Sequence, residues 1–168
     1  MEPPHAECVP TALAIGRHRR NNEPMMFTHA DGNPILNLDD DQSWKLLEGT
    51  KHGRLVVTVA GEPDIFPVNY AVNGRKLYLR TAPGNKLAEL TINAKVLFET
   101  DGIMSDEAWS VVLRGTARVL DQSADIAAAE SLGLKPWVPT LKDFYVEIEP
   151  VSLSGRHFQF GEHPEREI

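Results

Sequence analysis

RLVVTVAGEPDIFPVNYAVNGRKLYLRT, residues 54–81, holds three apolar runs broken by two turn signals. Val, Ile, Tyr and Phe crowd these runs, as they do in strands. Gly61-Glu62 followed by Pro63 marks one turn. Asn73-Gly74 marks the other, because both residues tolerate the left-handed backbone that a tight hairpin demands. The stretch therefore reads as three consecutive antiparallel strands.

The flanks extend the pattern. Upstream, LNLDDDQSWKLLEGTKHG opens the folded part with a helix. Asp39 or Asp40 supplies its cap, Trp44, Leu46 and Leu47 form its apolar face, and Gly49 or Gly53 ends it. Downstream, a short helix runs from Asn85 to Thr91. AKVLFETDGI is a fourth strand. EAWSVVLRGTARVLD is a fifth, with Gly115 inside it as the site of a bulge or bend. DQSADIAAAESLGL is an Ala-rich helix closed by Gly133, LKPWVPTLK is a Pro-interrupted loop, and DFYVEIEPVSLSGRHFQFG is a last strand or pair. No internal repeat is visible. Short strands with few helices predict a mainly β fold, an antiparallel barrel or sandwich rather than a βαβ array.

The 168 residues suit one compact domain. Residues 1–34, rich in Pro, Asn and His without a sustained period, read as a loosely ordered arm. Residues 35–162 form the domain and 163–168 a short tail. A net charge of −7 argues against a nonspecific partner for nucleic acid or for an anionic membrane surface. No apolar run reaches spanning length, and the N-terminus has no secretory apolar core. Cys8 is the single cysteine, which excludes an internal disulfide and a multi-cysteine zinc site. A reducing cytoplasm is the expected compartment.

The chemistry concentrates in YLRTAPGNKLAEL, residues 78–90. A strand breaks at Ala82-Pro83-Gly84 and restarts as a helix. A helix N-terminus offers unpaired N–H groups and a partial positive charge. Gly84 lets a ligand approach the backbone, and Asn85 is positioned to cap. Lys86 stands where a cation opposes the helix dipole unless an anion is present. Arg80 can fork onto a phosphate, and Thr81 adds a donor. The residues fit a phosphate cradle. They equally fit an ordinary strand–turn–helix whose cations pair with Glu89 or Glu99.

The order GRLVVTV, PDIFPVNYAV, Asn-Gly turn, LYLRTAPGNKL, AKVLFETD, EAWSVVLRGTARVL resembles the pyridoxamine 5′-phosphate oxidase-like family of flavin-binding split β-barrels. Within that family it is most similar to the branch of the nitroimidazole-resistance proteins. PVNY, LRTAPGNK and WSVVLRGTA carry the resemblance, which spans about residues 36–160. It implies a homodimeric flavoprotein with FMN in a groove between protomers. Arg80, Thr81 and Lys86 would hold the phosphate. The backbone of Pro67, Val68 and Asn69 would line the polar edge of the isoalloxazine ring. Trp109 and Ser110 would reach the flavin held mainly by the partner. Arg114, Arg156 and His157 are secondary candidates.

The implied activity is that of an oxidoreductase passing hydride between a reduced nicotinamide and a small-molecule acceptor through the flavin, with no protein acid or base named. The Arg-x-His ending of a true pyridoxamine phosphate oxidase is absent. The chain ends HPEREI, which puts vitamin B6 synthesis in doubt. One alternative keeps the fold and takes the deazaflavin coenzyme, with Arg17, Arg19 and Arg20 of the arm near its anionic tail. Others are a non-catalytic flavin- or haem-binding module and a structural dimer. A nucleophile elbow, a calcium loop and a Walker loop are all missing. His5 and Cys8 belong to the arm and are not read as a metal site.

Overall fold

A computed structural model describes residues 27–30, 32–135 and 141–162. The chain runs β1 (Ile35–Leu38), α1 (Asp40–Gly49), β2 (His52–Val59), β3 (Glu62–Asn73), β4 (Lys76–Thr81), α2 (Asn85–Ile92), β5 (Lys95–Ile103), β6 (Glu107–Val119), α3 (Ser123–Ser131) and β7 (Phe144–Gln159). The sheet order is β1-β7-β4-β3-β2-β5-β6, and β6 pairs back onto β7. Six antiparallel strands thus close a barrel, and β1 pairs with the last part of β7, along the edge that β4 occupies nearer its start. The mainly β architecture with short flanking helices is the split-barrel arrangement that the sequence resembles.

Three strands follow one another across residues 54–81 as expected, but both turns sit one residue away from the expected pairs. Val59 faces Glu62, so the first turn is Ala60-Gly61. Asn73 faces Lys76, so the second is Gly74-Arg75. All four turn residues have positive φ: Ala60 53°, Gly61 88°, Gly74 58° and Arg75 58°. Two-residue hairpin turns need this mirror-image backbone at both centres, because it matches the twist of the strands. Asn73 is consumed as the last strand residue.

β7 carries the barrel. Its first half pairs with β4 from Phe144 to Ile148, and nearly its whole length pairs with β6. The register slips where expected, between Arg114 and Gly115. A Cβ on Gly115 would lie 2.7 Å from the Glu149 carbonyl oxygen, so only glycine fits the bend. Asp39 caps α1, accepting from Gln42 N–H while the Gln42 side chain accepts from Asp39 N–H.

The core fills the barrel with alternating inward residues. Leu47, Leu55, Leu77, Leu79, Phe98, Leu113 and Ile148 are fully buried, each contributing about 1.5–3 kcal/mol. A second cluster of Leu120, Ala129 and Tyr145, with Tyr78, Ile126 and Leu134 against it, seats α3 on the outer face of β4, β6 and β7. Phe27, from the end of the expected arm, packs against the main core. Among the described residues no helix is long and apolar enough to cross a membrane.

Candidate functional site

The break between β4 and α2 is built as an open helix start. Gly84 occupies the N-cap with φ 151° and ψ −171°, and no side chain caps the helix. Asn85, the expected cap, is instead the first helical residue. Its first turn contains no acid. The first intrahelical bond runs from Ala88 N–H to Gly84 O. The N–H groups ahead of it therefore have no partner within the helix.

Cations lie on the segments next to this helix start. Along β4 the side chains alternate, with Leu77, Leu79 and Thr81 buried and Lys76, Tyr78 and Arg80 on the outer face. The Arg80 Nε–H donates to the Lys142 carbonyl oxygen. Its guanidinium carbon lies 5.2 Å from the centre of the Tyr145 ring. With Nε engaged and one face on an aromatic ring, the two terminal nitrogens remain as a forked donor. Lys86 Nζ lies 5.5 Å from the Phe66 ring centre. Burial, and then the charge of Lys142, hold its pKa below the usual lysine value.

The acids that would quench these charges are occupied elsewhere. Glu99 pairs with Arg54 at 3.0 Å. Glu89 forms no ion pair with these cations among the described residues, and its pKa is held above the usual carboxylate value by desolvation and then by Asp64. Among the described residues, Arg80, Lys86 and Lys142 form no ion pair. Cations without a counter-ion near an uncapped helix N-terminus are the groups from which an anion site can be built. Thr81 takes a different position. Its side chain is 4% exposed and its hydroxyl donates to the Ala82 carbonyl oxygen at 3.3 Å.

β3 supplies the second part. The β2 ladder runs through Pro67 without a break, pairing it with Arg54. Tyr70 N–H donates to Lys51 O, so the backbone groups of Tyr70 face β2. Alternation turns Val68 the same way and turns Pro67 and Asn69 the other way. Pro67 thus sits at a position where β2 needs no N–H from it, which replaces the expected interruption of the ladder as the reason a proline is tolerated.

On its other side, the β4 ladder stops at Tyr70–Leu79. That last rung is a non-hydrogen-bonded pair, flanked by a bond from Arg80 N–H to the Asn69 C=O, so the Asn69 N–H and the Pro67 C=O are the groups that point to an open strand edge. One further rung in the same register would set Asn69 opposite Arg80. Val68 differs from its neighbours: its backbone faces β2 and its side chain is in the core. Asn69 also lines a cavity of about 410 Å³ with Lys51, Tyr70 and Lys135.

Trp109 and Ser110 lie on β6, on the opposite side of the barrel from β3, and are not brought to the cradle within one protomer. The indole lies over Gly102, whose Cβ would come within 2.6 Å of Trp109 Cε2. Ser110 points to the other face. Arg114 is exposed and lines a groove of about 580 Å³ with Val56, Leu97 and Val151. Arg156 is exposed, while His157 is 1% exposed. His5, Cys8, Arg17, Arg19 and Arg20 lie outside the described residues.

Sequence reasoning missed Lys142, Tyr145 and Phe66. Lys142 is 62 residues from Arg80, so local pattern gave no sign of it. The inward turn of Thr81 was signalled by the alternation of Leu77 and Leu79.

Comparison with known proteins bears on the family and the fold. The family model for pyridoxamine 5′-phosphate oxidase matches residues 39–157. A solved structure of a Corynebacterium glutamicum protein named for pyridoxamine 5′-phosphate oxidase is 45% identical, with a TM-score of 0.72 over 78% of this chain and 98% of its own. The FAD binding protein of Mycobacterium smegmatis is 37% identical, with a TM-score of 0.63 over 74% of this chain and 98% of its own. A Bacteroides thetaiotaomicron protein named for 5-nitroimidazole antibiotic resistance shares the fold at 14% identity, with a TM-score of 0.63 over 79% of this chain and 95% of its own. The matched span covers more than half of the chain, from the cap of α1 to His157 near the end of β7: the chain belongs to the pyridoxamine 5′-phosphate oxidase family.

Proposed function

We propose that this chain is a homodimeric, FMN-dependent oxidoreductase. The observation that carries the reading is the trio Arg80, Lys86 and Lys142 around the uncapped start of α2, without a counter-ion among the described residues. A phosphate dianion would relieve the repulsion between these cations and accept from both the guanidinium fork and the helix N–H groups. The open edge at Pro67 and Asn69 offers a donor, the Asn69 N–H, and an acceptor, the Pro67 C=O, to the polar rim of a flavin ring. When bound, a flavin supplies reversible hydride acceptance, from a reduced nicotinamide or toward a small acceptor. This chain's own residues bind, orient and shield the ring.

A partner protomer would complete the groove. Trp109 and Ser110 lie on β6, which pairs with neither β3 nor β4, and Val56, Leu97 and Val151 line an outer groove suited to a second copy. Vitamin B6 synthesis has no support in this geometry, since His157 is buried and bonded within the fold.

A second reading changes only the flavin. The third cation, Lys142, suits a diphosphate, and the Mycobacterium smegmatis relative is an FAD binding protein. The visible spectrum of the purified protein, followed by titration with FMN and with FAD, tests both readings. A flavin spectrum, or saturable binding near one flavin per protomer that is lost in Arg80→Ala/Lys86→Ala, supports the cradle. A protein that ignores both flavins refutes it.

A further inference from the structure

His157 is buried among groups that form a line. Its Nδ1 lies 2.8 Å from His29 Nε2. His29 Nδ1 lies 3.0 Å from the Asn33 carbonyl oxygen. At the far end, His157 Nε2 lies 3.2 Å from a Glu107 carboxylate oxygen but makes no aligned hydrogen bond. Phe27 stacks on the His157 ring at 4.3 Å between centroids.

Two elements of the fold meet here, β6–β7 and the segment leading into β1. The other elements packed at this place bring no ionisable group: β1 is Ile-Leu-Asn-Leu, and the buried face of α1 is Ser43, Trp44, Leu46 and Leu47. Among the described residues, His29 and Glu107 are the charged or titratable groups facing His157.

Counting protons shows what this line tolerates. The Asn33 carbonyl only accepts, so His29 Nδ1 carries a proton. In a neutral pair, His157 Nδ1–H then donates to His29 Nε2, and His157 Nε2 is bare. One added proton fits on Nε2, where the Glu107 carboxylate faces it. A second has only His29 Nε2 to go to. There it would set two N–H donors head to head at 2.8 Å and leave two imidazolium charges side by side, one of them buried.

We infer that His29, His157 and Glu107 form an acid-released latch that fastens the segment before β1 to the β6–β7 end of the barrel. The direction follows from proton linkage. Burial holds the His157 pKa below the usual imidazole value, and His29 adds to this while Glu107 opposes it. A base whose pKa is depressed when docked favours docking while neutral. Docking is therefore complete above the ordinary imidazole range and is lost as pH falls through the docked value. The latch holds this segment beside Trp109, which pairs with His157 across β6 and β7. Any effect on flavin contact through Trp109 rests on the function proposed above, but the latch itself does not.

Hydrogen exchange of the full chain tests it, with protection factors corrected for intrinsic rates at about pH 7.5 and about pH 5. Protection across Ile35–Leu38 should fall about tenfold on acidification while that of β2–β5 holds. His29→Gln should flatten the dependence. Glu107→Gln, which removes the counter-charge for the first added proton, should move the loss to higher pH. Unchanged β1 protection in the wild type, an equal fall in His29→Gln, or a fall shared equally by β2–β5 would overturn the latch.

Discussion

Replacing Lys86 with Gln should strengthen the ligand-free fold while weakening flavin binding. Lys86 stands in the first turn of α2, where its charge opposes the helix dipole. Removing such a cation gains about 0.3–1 kcal/mol. The partial burial of Lys86 and the nearby charge of Lys142 act in the same direction. A gain of about 1 kcal/mol raises the midpoint of a domain of this size by about 3–5 °C.

The pH dependence follows from the same shift. A lysine with a depressed folded pKa contributes stability only above its unfolded value and has lost it at neutral pH. The advantage of the Gln variant should therefore be full near pH 7 and shrink in strong alkali. Binding moves the opposite way. Losing one hydrogen bond to a charged phosphate costs about 1.5–3 kcal/mol, or about 10- to 150-fold in Kd for FMN. Thermal melts of the apo protein and flavin titrations on the same preparations read both effects. A variant that melts lower when ligand-free, or binds FMN as tightly as the wild type, would refute the reasoning.

Other expectations concern the frame. Gly53→Ala should cost about 1–3 kcal/mol, because its Cβ would lie 2.6 Å from the Glu99 carbonyl oxygen and strike the Phe98 ring; an unchanged melting temperature would contradict this. Ala60→Gly should stabilise by about 0.5–1 kcal/mol by relieving the positive φ of 53° at an exposed turn, readable in urea midpoints. Glu147 accepts from Tyr78 Oη at 2.8 Å and pairs with Arg118 at 3.0 Å. Burial pushes its pKa up, but Tyr78, Arg118 and Lys76 outweigh that and hold it below the ordinary range. Glu147→Gln should therefore lose about 1–2 kcal/mol at neutral pH, with the difference from wild type vanishing as pH falls below the carboxylate range.

The fold was legible where physics is local. Alternating apolar residues and glycine-bearing turns gave the strands, and the lone glycine in β6 gave the register slip at Gly115. Each hairpin was displaced by one residue: Gly61 takes the second turn position with Ala60 before it, and Asn73 serves as well at the end of a strand as in a turn. β1 escaped notice since its four residues are too short to show a period. Phe27 and His29 read as part of an arm because what holds them, His157, is 128 residues from His29.

The site divided in the same way. Arg80 and Lys86 could be read from one strand–turn–helix, and in the fold Arg80 lies against Lys142 and Tyr145 while Lys86 lies over Phe66. Lys142 entered through a loop that only the β4–β7 pairing brings alongside. Val68 was grouped with its neighbours as backbone ligands, yet register alone decides that Pro67 and Asn69 face the open edge while Val68 faces β2.

The phosphate cradle is tested most directly by comparing FMN with riboflavin, which has the same ring and no phosphate. Side-by-side titrations of the ligand-free protein should give a Kd for riboflavin about 100-fold or more above that for FMN, the equivalent of about 3 kcal/mol from contacts to the charged group. Equal affinity for the two, or tighter binding of riboflavin, would mean that Arg80, Lys86 and the start of α2 do not hold a phosphate.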